Sequence, residues 1–182
     1  MIFVDGSNLL VELGVVLGAQ IRAEQPSVEA ISMACQCIVQ SLDDAPPPIG
    51  PHRPIRKYWF GSLQGDDTVL QSKQQVLRDA GFEGVLFRKV KGGKEKGVDL
   101  AVAREMLIHG FNKHYHTAIL VAGDEDYLGL VQDLKRMGLV VGGLFFDTPA
   151  LSPRLRLGFD HFQVLRQPLA VNKVLAEMLT GN

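Results

Sequence analysis

Cysteine is scarce in this sequence, which has 182 residues and only two cysteines, Cys35 and Cys37. They stand two positions apart in a segment with helical periodicity, where their side chains diverge. That spacing builds neither a disulfide nor a zinc cage. Cysteine used in this way predicts a reducing, cytoplasmic location.

Long apolar runs and an excess of one charge are also missing. No apolar run reaches the roughly 18 residues that span a bilayer, and residues 1–6 lack a basic stretch followed by a long apolar one, so neither membrane insertion nor export is expected. Nineteen Lys and Arg against 20 Asp and Glu give a formal charge of −1. This balance excludes a uniformly basic nucleic-acid coat, so any charged binding site must be local.

Nucleotide-binding fingerprints do not occur: the chain contains neither GxxxxGK[ST] nor GxGxxG. Their absence argues against nucleotide-driven chemistry. His114 and His116 alternate before an apolar run, but no cysteine or acid is suitably spaced to share a zinc ion with them. Surface loop histidines are the expected outcome.

Apolar β-type runs alternate with helical segments along the chain. Helical periodicity is clearest after Ser27, and the five prolines between residues 43 and 54 predict an exposed loop. Strands that are apolar throughout indicate a parallel sheet covered on both faces. We therefore predict one α/β domain over residues 1–182, a three-layer α/β/α sandwich with a mostly parallel central sheet. The core of this domain spans about 2–165, and a C-terminal helix follows over about 168–180. The predicted strands lie at 2–4, 55–60, 82–90, 117–122, 139–146 and 162–165. The predicted helices of the core lie at 9–19, 27–42, 68–80, 98–111 and 127–137 and near 152.

Acidic residues stand directly after the strands of this pattern. Asp5 follows the first strand, Asp124 and Asp126 follow the strand at 117–122, and Asp99 opens a helix. Ligands of open α/β sheets bind beyond the carboxyl ends of the strands. If the first strand and the 117–122 strand are neighbours, four carboxylates converge, and their repulsion requires a cation. Mg²⁺ prefers carboxylate and phosphate oxygens, so the pattern points to metal-assisted phosphodiester chemistry.

Each of these residues also has a purely structural interpretation. Asp5 and Asn8 stand where a helix begins and could cap it. Asp124 and Asp126 lie where a carboxylate favours the helix dipole, and capping explains one of them. Asp99 could cap its helix as well. Four independent caps, all at the carboxyl ends of one sheet, are the less economical account.

Three motifs in order resemble those of the NYN domain family (LabA-like), a branch of the PIN-like nucleases: FVDGSN at 3–8, KGVD at 96–99 and VAGDEDY at 121–127. The resemblance spans about residues 2–165, because 151–162 also looks like the family's closing segment. It implies a Rossmann-like PIN fold, Mg²⁺ or Mn²⁺ as cofactor, and RNA cleavage. Asn8 matches the family's usual asparagine. The expected catalytic and metal-binding residues, which fall on the family's acidic positions, are Asp5, Asp99, Asp124 and Asp126.

Two positions depart from the family's pattern. Members often carry another acid six residues beyond the Asp99 position, and here that residue is Glu105. Six positions along an ideal helix turn a side chain well away from Asp99, so Glu105 is expected to be a peripheral metal ligand at most. Many members have Ser or Thr where Glu125 stands, so only the fine structure of that turn is expected to differ from the family's.

A basic, glycine-containing segment leads into Asp99. A flexible cationic loop beside a metal site can hold a phosphate backbone, although many such loops are only solvated surface. Arg53, Arg56 and Lys57 could extend the same face. The expected substrate-binding residues are Ser7, Asn8, Arg88, Lys91, Lys94 and Lys96.

The sequence thus predicts a divalent-metal-dependent ribonuclease that acts on single-stranded RNA and has no membrane partner. Two alternatives stay open. The first is an RNA-binding or regulatory module that keeps the fold but turns over little. The second is a Toprim-type, Mg²⁺-dependent phosphotransfer domain, since Asp124 and Asp126 form a DxD pair. A Toprim site has a glutamate after its first strand, where this chain has Asp5, so the second alternative ranks lower. A phosphatase of the haloacid dehalogenase type needs a second aspartate at the position of Ser7, and this chain lacks it.

Overall fold

Six strands form one sheet in the computed structural model, which describes residues 1–45, 56–89 and 97–168. The strands are β1 Ile2–Asp5, β2 Lys57–Leu63, β3 Glu83–Arg88, β4 Thr117–Val121, β5 Val140–Phe145 and β6 His161–Val164. Their order in the sheet is β3-β2-β1-β4-β5-β6, and every neighbouring pair is parallel. The prediction of a parallel α/β sheet is confirmed.

Helices cover both faces of the sheet. The side chains of Ile2 and Val4 enter an apolar cluster with the first three helices, whereas Phe3 enters a second cluster with the last three. This alternation is what a strand buried on both sides requires, and it gives the three layers expected. The helices are α1 Gly6–Leu17, α2 Val28–Asp43, α3 Asp67–Asp79, α4 Val98–Phe111, α5 Leu128–Arg136 and α6 Pro153–Gly158.

Several helices begin at side chains that accept a backbone hydrogen bond. Ser27 accepts from Ala30 N–H at the start of α2, and Asp66 accepts from Val69 N–H at the start of α3. Such caps satisfy amide groups that have no partner inside the helix. The predicted helix at 127–137 starts slightly differently: one turn of 3₁₀ helix, Glu125–Tyr127, precedes α5.

The chain reverses direction across the sheet at β1. From β1 it builds outward to β2 and β3, and then α4 carries it back to place β4 on the other side of β1. Val4 pairs with Val121 in register, so the predicted adjacency of these two strands is confirmed. The carboxyl ends of β1 and β4 therefore lie side by side at the switch point, where ligands bind in sheets of this kind.

Two further observations concern the cysteines and the helices in the described part of the chain. Cys35 and Cys37 are both free and buried, and burial raises the pKa of their thiols to about 12 and about 11. Thiols of such high pKa are poor nucleophiles and poor ligands. None of the described helices combines the length and the apolar character that crossing a membrane requires. The predicted C-terminal helix and most of the proline-rich loop lie outside the described residues.

Candidate functional site

Asp5 is the last residue of β1 and is almost completely buried, with 3% of its surface exposed. Its Oδ1 accepts a hydrogen bond from the Asn8 N–H at 3.0 Å, so it caps α1. Its Oδ2 accepts a second bond from the Tyr127 hydroxyl at 2.8 Å. The capping interpretation is therefore correct and incomplete, because the other carboxylate oxygen faces a residue that follows β4.

Asp99 lies in the first turn of α4 and is exposed to solvent. The residue that caps this helix is Gly97, whose φ of 95° suits glycine and which has no side chain to offer. The capping interpretation of Asp99 is therefore wrong. Its Oδ1 instead accepts a hydrogen bond from the Tyr127 hydroxyl at 3.3 Å.

Tyr127 is the residue at which these two carboxylates meet. It ends the 3₁₀ turn after β4, and only 2% of its surface is exposed. Burial, together with the negative charges of Asp5 and Asp99, raises the pKa of its phenol far above the usual 10.0, so the hydroxyl stays a proton donor. No role was expected for Tyr127 from the sequence. Its position at the end of the VAGDEDY motif was the available signal, because a buried tyrosine hydroxyl needs a partner.

Asp124 and Asp126 are both exposed on the turn after β4. Asp124 Oδ1 accepts a hydrogen bond from the Asp126 N–H at 3.1 Å and caps the 3₁₀ turn, as the capping interpretation allowed for one of the two. Among the residues described, no three His, Cys, Asp or Glu side chains are grouped closely enough to hold a metal ion. The structure thus joins Asp5 to Asp99 through one hydroxyl, and leaves Asp124 and Asp126 at the solvent side of the same sheet edge.

Asn8 connects the two neighbouring turns. Its side-chain Oδ1 accepts a hydrogen bond from the Gly123 N–H at 3.0 Å. The amide oxygen of Asn8, a residue that we expected to bind substrate, therefore holds the turn after β1 against the turn after β4. Because its own N–H donates to Asp5, Asn8 fixes the relative position of both acidic turns.

The glycines in two of the motifs permit close packing at this edge. A Cβ at Gly6 would lie 2.1 Å from the indole nitrogen of Trp59 and 2.7 Å from the carbonyl oxygen of Phe60. A Cβ at Gly123 would lie 2.4 Å from the ring of Phe145. Any larger residue would push the turns outward, away from the positions that Asn8 and Tyr127 bridge.

Glu125 anchors the acidic turn to α6. Its Oε2 accepts a hydrogen bond from the Ser152 hydroxyl at 2.9 Å, and its Oε1 pairs with the Arg154 guanidinium at 2.5 Å. The Ser152 N–H also donates to the Gly123 carbonyl oxygen at 2.9 Å. The departure from the family's usual Ser or Thr at this position thus has a structural use. It also places Arg154, a cation for which the sequence predicted no role, beside the acidic edge.

Only part of the predicted substrate-binding set lies in the described residues. Arg88, at the end of β3, forms an exposed ion pair with Asp67. Ser7 is half-buried in the first turn of α1. Three predicted residues, Lys91, Lys94 and Lys96, lie outside the described residues.

The expectation that Arg56 and Lys57 extend the same cationic face is wrong. In the parallel register Lys57 pairs with Ile2, whereas Asp5 pairs with Phe60. Arg56 and Lys57 therefore stand at the amino end of the sheet, opposite the acidic edge. Arg53, the third member of that group, lies outside the described residues.

Glu105 and the histidines form a separate group on α4 and the loop after it. Glu105 is 3.5 Å from the Nε2 of His109, whose ring packs against Tyr58. Tyr58 belongs to the amino half of β2, so the contact that the structure gives Glu105 points away from Asp5. His114 and His116 are exposed, as predicted for loop histidines.

The parallel sheet, its two helical layers and the acids at adjacent strand ends are consistent with a PIN-like nuclease fold. The family model of the NYN domain matches residues 1–166, and the chain belongs to the NYN domain family, a nuclease-type family. Membership in this family separates the protein from the Toprim alternative.

A solved structure of a protein of unknown function from Vibrio parahaemolyticus is similar to this chain, with a TM-score of 0.63, 19% sequence identity and 91% of each chain covered. At that identity the similarity supports the fold alone. The curated proteins contain no match.

Proposed function

We propose that this chain is a divalent-metal-dependent ribonuclease that hydrolyses RNA phosphodiester bonds at the carboxyl edge of its sheet. One observation carries the proposal. The carboxylates of Asp5 and Asp99, from elements 94 positions apart in the chain, meet at one hydroxyl beside the switch point in a member of a nuclease-type family. This hydroxyl is a neutral donor between two negative charges, and a bound cation would stabilise such an arrangement further.

The residues present fit a hard divalent cation. Asp5 Oδ2 and Asp99 Oδ1 lie 2.8 Å and 3.3 Å from the same hydroxyl oxygen. The distance between these two carboxylate oxygens therefore cannot exceed the sum of those two values. Mg²⁺ is commonly bound through one or two carboxylates, while waters and substrate phosphates supply its other ligands. Two carboxylates, with no group of three ligands among the described residues, agree with this mode of binding. Asp5 and Asp99 would hold Mg²⁺ or Mn²⁺, and Asp124 and Asp126 would contribute from the solvent side.

Such a cation would polarise the scissile phosphate and lower the pKa of an attacking water. The chain's own groups have positioning tasks. Asn8 keeps the two acidic turns aligned through Gly123, and the Asp5 cap keeps that carboxylate buried at the end of β1. Lys91, Lys94 and Lys96, with Arg88, would hold the phosphates of single-stranded RNA by charge.

The direct test is incubation of the purified protein with labelled single-stranded RNA, in Mg²⁺, in Mn²⁺ and with chelator. Cleavage should require the metal and should fall at least about a hundredfold in Asp99→Asn. Asp79→Asn is the matched control, because Asp79 is an exposed acid on α3 whose carboxylate accepts a bond from Gln75. Cleavage that persists in chelator, or Asp99→Asn with full activity, would refute the proposal.

A second candidate is an RNA-binding module with little turnover. It is favoured by the missing group of three ligands in the described residues and by the engagement of Asp124 in its cap. This candidate predicts RNA binding whose Kd is the same with metal and with chelator, and no cleavage under either condition. The incubation above, combined with a binding titration, separates the two.

A further inference from the structure

We propose that Tyr127 is a positioning residue for the cation: its hydroxyl holds the Asp99 carboxylate against that of Asp5, and thereby sets the affinity for the divalent ion. The inference rests on the proposed function, since it concerns the same site. It assigns a task to a residue that is neither a metal ligand nor an acid.

Asp99 depends on this hydroxyl more than Asp5 does. The Asp5 carboxylate is buried and is already oriented by the Asn8 N–H. Asp99 is exposed and leaves the capping of α4 to Gly97. In the described part of the chain, the contact that directs the Asp99 side chain toward Asp5 is the hydrogen bond from the Tyr127 O–H. This donor offsets the repulsion between the two carboxylates.

Tyr127 is well placed to impose a fixed geometry. Its ring belongs to the same buried apolar cluster as Val98 and Val102 of α4, so the hydroxyl is presented from a packed surface. The hydroxyl reaches Asp5 at 2.8 Å and Asp99 at 3.3 Å.

Outer partners that orient metal ligands typically contribute about 10- to 100-fold to metal affinity. Removing the hydroxyl while keeping the ring should therefore weaken Mn²⁺ binding by about tenfold. The rate of RNA cleavage at saturating Mn²⁺ should change much less, because the ligands themselves remain. A residue that acted on the RNA or on the attacking water would show the opposite pattern.

The experiment is a calorimetric titration of Mn²⁺ into the full chain without RNA, for wild type and Tyr127→Phe. Tyr115→Phe is the matched control, since Tyr115 is also buried and its hydroxyl donates to the Met106 carbonyl oxygen at 2.7 Å. The control should lose stability and keep the wild-type Kd for Mn²⁺. Circular dichroism checks that each variant is folded, and Tyr127→Leu, which also lacks the donor, replaces Tyr127→Phe if that variant does not fold.

A double variant tests whether Tyr127 acts through Asp99. In an Asp99→Asn background, removal of the hydroxyl should change the Kd for Mn²⁺ by less than about twofold, since the carboxylate it positions is gone. Equal Kd values for wild type and Tyr127→Phe would overturn this inference and leave the proposed function standing. A wild-type protein that binds no Mn²⁺ at millimolar concentration would overturn both.

Discussion

The side-chain oxygen of Asn8 accepts a hydrogen bond from the backbone N–H of Gly123 at 3.0 Å, although 115 positions separate the two residues. This bond joins the turn after β1 to the turn after β4. The first of these turns contains the hydrogen bond that Asp5 accepts as a cap, and the second contains the one that Asp124 accepts. The Asn8 amide group therefore helps to set the spacing of the acidic turns, together with the Tyr127 hydroxyl and the pairing of β1 with β4.

Replacement of Asn8 by alanine should lower the free energy of unfolding by about 1 kcal/mol, because the Gly123 N–H loses its acceptor. Asn8→Asp keeps an acceptor oxygen and should lose less. Urea unfolding measures both. Asn112→Ala, at the exposed asparagine that directly follows α4, is the control, and an equal loss of stability in that variant would show that the Gly123 bond has no special weight.

Asp124→Asn should abolish metal-dependent RNA cleavage and leave stability nearly unchanged. Asparagine retains the oxygen that accepts from the Asp126 N–H, and the loss of one charge relieves repulsion at the edge. Asp124→Ala should lose cleavage and also about 1 kcal/mol of stability, because the cap is gone. If Asp124→Asn cleaves RNA at the wild-type rate, Asp124 does not belong to the site.

Alanine at two glycines should have opposite effects on stability. Gly123→Ala places a Cβ 2.4 Å from the Phe145 ring and should cost about 1–3 kcal/mol. A Cβ at Gly129, in α5, would meet no atom within 4 Å, so Gly129→Ala should stabilise the helix by about 0.5–1 kcal/mol. Thermal unfolding compares the two variants. A stable Gly123→Ala variant would mean that Phe145 has room to move.

His109 should make the protein less stable in mild acid. Burial lowers its pKa below the usual 6.5; His114 and Arg56 act in the same direction, while Glu105 and Glu83 oppose them. The unfolded chain then binds more protons at this residue than the folded chain. Its stabilising contribution is complete above about pH 6.5 and is lost as the pH falls through the lowered pKa of the folded state.

The measurement is the free energy of unfolding of wild type and His109→Gln between about pH 5 and pH 8. The variant should show the weaker dependence on pH. His116→Gln, at an exposed loop histidine, should follow the wild-type curve. Parallel curves for wild type and His109→Gln would assign the acid sensitivity to other groups.

Replacement of Lys91, Lys94 and Lys96 by alanine should raise the apparent KM for RNA and leave kcat largely unchanged. Each lost phosphate contact should reduce the slope of log affinity against log salt by roughly 0.7 for a single strand. Arg56→Ala, at the opposite edge of the sheet, should leave that slope unaltered. An unaltered slope in the triple variant would assign the RNA path to other cations, among which Arg154 lies beside the acidic edge.

Much of the architecture could be predicted because it depends on local patterns. The periodicity of apolar residues locates α2 and α4, and α4 runs from Val98 to Phe111 as expected. Strands that are apolar throughout require cover on both faces, which implies the parallel sheet. Acids after β1 and β4 then have to share one edge, since the carboxyl ends of parallel strands coincide.

Partners of individual groups could not be predicted in this way. Gly97 takes the capping position that the purely structural interpretation offered for Asp99, and Ser152 and Arg154 hold Glu125 in place. Each outcome depends on which segments are adjacent after folding.

Local sequence alone was enough to define the succession of strands and helices, the two-sided sheet and the edge at which the acids stand, because hydrophobic periodicity and turn residues act over a few positions. The Tyr127 hydroxyl has one proton to donate, and its position within hydrogen-bond distance of both Asp5 and Asp99 arises only in the folded chain. Those bonds span 122 and 28 positions, and they exist because packing against α4 buries the ring and directs its hydroxyl to both carboxylates. A buried donor takes the acceptors that the fold brings within reach.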